Sequence, residues 1–329
     1  MVKLLRALIV ASLLSPALMV SAPADAQSGS DWPNRTITLV APQPPGGGFD
    51  TVARVLADRM RPILGQSIIV ENRTGAGTRV GTQSAAKAQA DGYTLMIGAL
   101  SNMALNPGLY DNLPYDPIKD FKLVGMAVTW SYTLVARKDL PMKDLKEVIA
   151  YAKANPEKLT YASAGMGSGQ HIASAVMLKL ADAKVTHVPY RGSQDAYADI
   201  FGGRVDLFFD ISSAAKSQID GGTVKPLAVS SKERQPFHPD VPSVFETGVA
   251  PLDMESWFGL FAPAATPEPI LTKLRAAMTQ VMASPDVQEL FAKSGGFVPK
   301  GSAAEQEAKV RSDIERWTKL IREAGVKGD

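Results

Sequence analysis

Thr36-Ile-Thr-Leu-Val-Ala41 runs directly into Pro42-Gln-Pro-Pro-Gly-Gly-Gly-Phe-Asp50, and apolar residues then recur at Val52, Val55, Leu56, Met60 and Ile63. An apolar run of strand length, a Pro/Gly loop and a helical period, in that order, predict a buried strand, a tight turn and an amphipathic helix over 50–64. The pattern continues with a strand at Ser67–Glu71, a small-residue helix at Gly77–Ala90 and a strand at Tyr93–Gly98. Such a β-α-β-α-β succession implies parallel strands joined by right-handed crossovers, an α/β fold.

Downstream, a Pro- and Asp-rich connection fills Asn106–Asp120, Phe121–Val128 reads as a strand, and a second alternating series begins at Tyr132–Ala136. It runs through a helix at Leu145–Ala154, a strand at Leu159–Ser163, a helix at Ser168–Leu180, a strand at Val185–Val188, a helix at Ser193–Phe201 and a strand at Val205–Phe209. Leu227–Ser230 and Ser256–Ala262 are further strands, and Pro267–Ala283 and Ser302–Ala324 are helices. Two α/β lobes are expected, 27–128 with 231–329 as one and 129–230 as the other. More than one strand crosses between them, and a ligand cleft lies at the carboxyl ends of the strands.

The chain has 329 residues, 35 Lys+Arg against 33 Asp+Glu, and no Cys. Without Cys there is no disulfide framework, zinc-thiolate site or thiol nucleophile. The near-neutral balance lacks the basic stripe of a nucleic-acid binder. Lys3 and Arg6 precede an almost wholly apolar run from Ala7 to Val20, and Ala24-Asp-Ala26 offers small residues at a signal-peptidase site. The run is too short to span a bilayer, so residues 1–26 are expected to be a signal peptide cleaved after Ala26, leaving an exported soluble protein.

Three consecutive glycines at Gly46, Gly47 and Gly48 let backbone approach a ligand closely, and the helix start just beyond presents unpaired amides and the positive dipole end to a carboxylate or phosphate. Asp50 either caps that helix by accepting from the Ala53 amide or orders the ligand through water. The phosphate-loop and dinucleotide patterns are both missing. Glu71-Asn-Arg-Thr-Gly-Ala-Gly-Thr-Arg-Val-Gly81 is a second strand-to-helix turn at the same end. In the second lobe Tyr161-Ala-Ser-Ala-Gly-Met-Gly-Ser-Gly-Gln-His171 repeats the device, with hydroxyls at Ser163 and Ser168 and amides around Gly165 and Gly167.

Arg191, after the strand containing His187, either pairs with a ligand carboxylate or forms a surface ion pair. Asp210 follows its strand and reaches the cleft, whereas Asp206 precedes it and does not. No Asp, Glu or His spacing builds a metal site, and no cofactor is expected. Ser168 and His171 can share a helix face, which leaves an exported serine hydrolase as the alternative, although the Gly-x-Ser-x-Gly elbow is missing because Met166 and Gln170 take the glycine positions. Several charge-assisted hydrogen bonds at about 1.5–3 kcal/mol each offset the cost of desolvating a carboxylate, whereas one helix terminus does not. A dianionic organic acid gripped by both lobes fits that balance.

Trp32-Pro-Asn-Arg35, Pro45-Gly-Gly-Gly-Phe-Asp50 with Ala53-Arg54, Val70-Glu-Asn-Arg-Thr-Gly-Ala-Gly77, Asp91-Gly-Tyr-Thr94, Leu113-Pro-Tyr-Asp116, Asp120-Phe121, Pro189-Tyr-Arg-Gly192, Pro239-Asp-Val-Pro-Ser243 and Ser256-Trp-Phe-Gly259 together resemble the periplasmic solute-binding proteins of tripartite tricarboxylate transporters, the Bug-type receptors. The resemblance covers essentially the whole mature chain. It implies a type II periplasmic-binding-protein fold, no enzymatic activity, and delivery of a small carboxylate to membrane permease subunits by a monomeric receptor. It also implies that Gly46–Asp50 and Ser163–Ser168 hold the carboxylate largely through backbone amides and water. The chain departs from the common pattern at Phe49 and at Ser101-Asn-Met103. Phe49 and Met103 either make the pocket more apolar, favouring an aromatic or longer-chain acid, or, for Phe49, pack against the lobe. A sensor partner reading the loaded lobes is a further expectation open at this level.

Overall fold

A computed structural model describes residues 31–328; the expected signal peptide lies outside them. The first sheet has β1 (Ile37–Ala41) at its heart, parallel to β2 (Ile68–Asn72) on one side and to β3 (Thr94–Ala99) on the other. Helices α1 (Gly48–Leu64) and α2 (Arg79–Ala86) supply the crossovers. After β3 the chain makes a π-helical turn over Leu100–Leu105 and a short helix α3 (Asn106–Leu109), where the sequence predicts only an irregular connection from Asn106 onward.

The two strands expected at 121–128 and 132–136 are one: β4 (Phe121–Arg137) runs unbroken for 17 residues. Its first part, to Ser131, pairs with β9 (Glu255–Pro263), and from Tyr132 it lies between β7 (Leu207–Ile211) and β8 (Val224–Val229). The polar step Thr129-Trp-Ser131 looks like a break because polar residues usually mark one. It continues because its hydroxyls are satisfied inside: Ser131 and Thr133 Oγ lie 2.8 and 2.9 Å from Ser212 Oγ. One strand therefore belongs to two sheets. Ser230 makes the second crossing beside it. Its N–H donates to the Tyr132 carbonyl, its Oγ accepts from the Tyr132 N–H and donates to the Met254 carbonyl, and Met254 N–H donates back to the Ser230 carbonyl.

In the second sheet β5 (Thr160–Ser163) lies parallel to both β6 (Thr186–Pro189) and β7, with α4 (Leu145–Ala154), α5 (Gly169–Leu180), α6 (Ser193–Phe201) and α7 (Ser212–Asp220) around it. The remaining helices are α8 (Glu268–Met282), α9 (Pro285–Lys293) and α10 (Ala303–Glu323). One apolar cluster packs Val52, Leu56, Met60, Trp130, Phe258, Leu271 and Phe291 over the first sheet. A larger one runs from Met103 and Trp257 through Leu134 to Ile172, joining the two sheets, and α10 closes it with Trp317 and Ile321. Trp257 Nε1 donates to Asp313 at 2.9 Å, which fixes α10 to β9.

Candidate ligand-binding site

Helix α1 starts two residues earlier than its apolar period implies. Gly47 is the N-cap, so Gly48, Phe49 and Asp50 form the first turn and present amides with no intrahelical acceptor. Gly46 takes φ +85°, and a Cβ at Gly48 would lie 2.8 Å from Cζ of Phe258, so a side chain at either position strains the loop or displaces the ring. Asp50 does not cap the helix through Ala53. It lies inside the first turn, 4% exposed: Oδ2 accepts from Gly46 N–H (3.0 Å) and Arg54 Nε (2.9 Å), and Oδ1 from Asn72 Nδ2 (3.0 Å). Asn72 also donates to the Gln43 carbonyl. The carboxylate thus ties the loop, the helix and the end of β2 together. Burial alone raises its pKa, but the bonds from Arg54, Gly46 and Asn72 outweigh that and hold it below the usual carboxylate value.

Phe49 stands 2% exposed and edge-on to Phe258, ring centroids 5.2 Å apart. Met103 is fully buried. Both side chains pack in the apolar cores, the second of the two expectations for Phe49.

In the second sheet Ser168 is the N-cap of α5, and its Oγ accepts from the backbone N–H of His171 at 3.2 Å. The His171 ring points elsewhere, Nδ1 accepting from Gly167 N–H at 3.2 Å. The nucleophile–base pair that a hydrolase would need is therefore not formed between these side chains. The Gly167 amide is spent on this internal bond, and Ser168 N–H is spent on the Gly165 carbonyl. Ser163 is fully buried, its Oγ accepting from Gly165 N–H and sitting 2.7 Å from His187 Nε2. Its hydroxyl shapes the turn rather than facing outward. What the turn offers is the first amides of α5, at Gly169 and Gln170, and the hydroxyl proton of Ser168.

Contacts at the strand ends bring the turns into one neighbourhood. A Cβ at Gly77 would be 3.2 Å from the Tyr110 hydroxyl and 3.5 Å from the Met166 carbonyl, and one at Gly167 would be 3.3 Å from the same hydroxyl. The β2–α2 turn of the first sheet therefore meets the β5–α5 turn of the second around Tyr110. Gly81 packs on Pro42 of the β1–α1 loop, and Gly165 lies against the Tyr190 carbonyl beside Arg191. Arg191 is exposed and makes no ion pair among the described residues. Asp210 is fully buried at the end of β7: Oδ1 accepts from Ser193 Oγ (2.7 Å), Ile211 N–H (2.8 Å) and Gln170 Nε2 (3.3 Å), while Oδ2 makes no bond of normal length and its nearest donor is the Tyr197 hydroxyl. Burial pushes its pKa up to about 6. Asp206 is committed to Arg137 and to Thr160.

Sequence reasoning missed the Gly75–Thr78 turn as the place where the β2–α2 and β5–α5 turns meet. Its signal was a glycine spacing that matches no nucleotide motif. It also missed the Ser163–His187 contact, which depends on the β5–β6 register that sets Tyr161 opposite His187. A cavity of about 590 Å³ lies elsewhere, between β4, α8, α9 and residues 296–301, and none of the expected site residues lines it.

Residues 52–326 match the family described as the tripartite tricarboxylate transporter family receptor. BugT from Bordetella pertussis is 32% identical over 323 residues, covering 98% of each chain. Rpa4515 from R. palustris, solved with adipate, superposes with a TM-score of 0.84 at 33% identity over 90% of this chain and 99% of that one. MatC from Rhodopseudomonas palustris, solved with bound malate, gives 0.82 at 35% identity over 88% and 100%. The two-sheet α/β architecture, with its glycine turns at the strand ends, is thus that of periplasmic binding proteins, and the chain belongs to the tripartite tricarboxylate transporter receptor family.

Proposed function

We propose that the protein is a non-enzymatic periplasmic receptor that captures a linear organic dicarboxylate and delivers it to the permease subunits of a tripartite tricarboxylate transporter. What supports this is that the β2–α2 turn, on which the β1–α1 loop packs through Gly81 and Pro42, meets the β5–α5 turn through Gly77, Tyr110 and Gly167, so the helix starts Gly48–Asp50 and Gly169–Gln170 belong to neighbouring turns. Amides at a helix start favour a carboxylate, and two such sets suit an acid with a carboxylate at each end. Ser168 adds a hydroxyl donor and Arg191 an unpaired guanidinium. Phe49 and Met103, packed in the cores, supply no selection for an aromatic acid. The related receptors solved with adipate and malate hold acids of the proposed class.

In this account 27–128 with 231–329 form one lobe and 129–230 the other, β4 and Ser230 form the hinge, and closure follows from the ligand's tighter hold on the closed state. The leader is removed after Ala26 and the mature chain acts as a monomer. The test is mass spectrometry of the small molecule that co-purifies, followed by calorimetry with C4–C6 dicarboxylates including malate and adipate. Binding with a raised Tm is expected; a Tm unmoved by every acid in the series would sink the assignment.

A further inference from the structure

The second ligand turn rests on a stack of rings that the proposed function leaves unused. Tyr161 on β5 stacks on His187 on β6 with centroids 4.7 Å apart, and His187 stacks on His171 on α5 at 4.3 Å. Each imidazole holds one end of the turn. His171 Nδ1 accepts from Gly167 N–H, which requires that nitrogen to carry no proton. His187 Nε2 holds Ser163 Oγ, which in turn accepts from Gly165 N–H. Gly165 and Gly167 sit at φ +114° and +75°, conformations that local backbone preference leaves floppy. Two side-chain acceptors fix what the glycines leave free.

Two imidazolium rings at this spacing would repel, and one would lose the Gly167 bond. The surroundings keep both neutral. The facing titratable groups are Tyr161 and each ring for the other. Asp210 is one step removed through Gln170, and Tyr132 lies under Gly169. Burial lowers both rings to about 4, with His187 adding to the effect on His171, and no carboxylate opposes it.

We propose that His171 and His187 are positioning residues: as a stacked pair of uncharged rings they hold the Ser163–Ser168 turn in the shape that presents the α5 amides and Ser168 to the ligand carboxylate. This rests on the receptor assignment above, and its test separates the two. With three histidines in the chain, ¹⁵N-histidine labelling resolves each ring. At pH 5.5, where an ordinary imidazole is mostly protonated, His171 and His187 are expected to be neutral with His171 Nδ1 unprotonated, and exchange of the Gly167 amide is expected to quicken at least tenfold in His171→Leu.

With adipate as probe, His171→Leu and His187→Leu are expected to bind at least tenfold more weakly at pH 7.5. His171→Asn, whose Oδ1 can replace Nδ1 as acceptor, is expected to recover most of the loss. Should His171→Leu fail to fold, the Asn variant and the ring spectra decide. Charged rings at pH 5.5, or a folded His171→Leu with wild-type affinity, would overturn the proposal. If adipate, malate and the other C4–C6 dicarboxylates all fail to bind the wild-type protein, the receptor assignment falls, and the positioning pair stands or falls on the spectra and the Gly167 exchange alone.

Discussion

The turn after β1 and the turn after β5 present the same thing, a helix start behind glycines, but are anchored by different chemistry. In the first, an ionised carboxylate gathers Gly46, Asn72 and Arg54. In the second, uncharged imidazoles and a buried hydroxyl hold Gly165 and Gly167. The first anchor needs its charge and the second needs to have none, so the two turns fail under different conditions. An Asp and two His therefore sit beside the proposed ligand turns as anchors, Asp50 and His171 turned onto backbone amides and His187 onto the Ser163 hydroxyl.

The largest expected effect probes how tightly each helix start is packed. A Cβ at Gly169 would lie 1.8 Å from the Tyr132 hydroxyl, against 2.8 Å from the Phe258 ring at Gly48. Gly169→Ala is expected to destabilise by about 3 kcal/mol and Gly48→Ala by about 1 kcal/mol, measured by urea unfolding. Equal costs would show that the second turn relaxes as readily as the first.

Next comes the charged anchor. Asp50→Ala leaves Asn72 and the Gly46 amide without their acceptor and is expected to cost about 2–3 kcal/mol, with adipate affinity falling alongside. Affinity unchanged in a folded variant would mean the first turn does not touch the ligand.

Asp210 is expected to move stability the other way. Its folded pKa is raised from 3.8 to about 6, so the folded state binds the extra proton and stability is lost as pH rises between those values. Asp210→Asn keeps an acceptor for Ser193 and Ile211 and is expected to gain about 2 kcal/mol at pH 7.5; a loss there would show that the donors around the ionised form, Tyr197 among them, outweigh its burial.

Acid separates the two anchors. His171 and His187 are lowered from 6.5 to about 4, so the unfolded chain takes up their protons first and stability falls as pH drops from about 6.5 to about 4, levelling below that. Asp50, held below 3.8, contributes in full above that value and is lost only as pH falls through its lowered folded pKa. Amide exchange is therefore expected to quicken around Gly167 at a higher pH than around Gly46; the reverse order would break the comparison. The smallest effect is at Arg191, where replacement by Ala is expected to leave stability within about 0.5 kcal/mol and to show only in ligand affinity.

The sequence carried the alternation of strands and helices because buried parallel strands and amphipathic helices differ in period, and α4 and α6 fall on their expected residues. It did not carry the continuity of β4, since only the fold reveals that Ser131 and Thr133 find a partner in Ser212. Helix α9 and the π-helical turn were likewise unread, α9 being short and starting at a Pro. Glycine turns were legible as chemistry, but side-chain direction was not: Phe49 and Met103 face the cores, and Ser163 and His171 face inward, through register and helix phase that no single stretch encodes.

The most direct test of the account is a crystal structure of the protein soaked with adipate. It predicts one carboxylate within hydrogen-bonding distance of the Gly48–Asp50 amides and the other against Ser168 and the start of α5. Adipate seated instead in the 590 Å³ cavity between β4, α8 and α9, with the two turns empty, would contradict it.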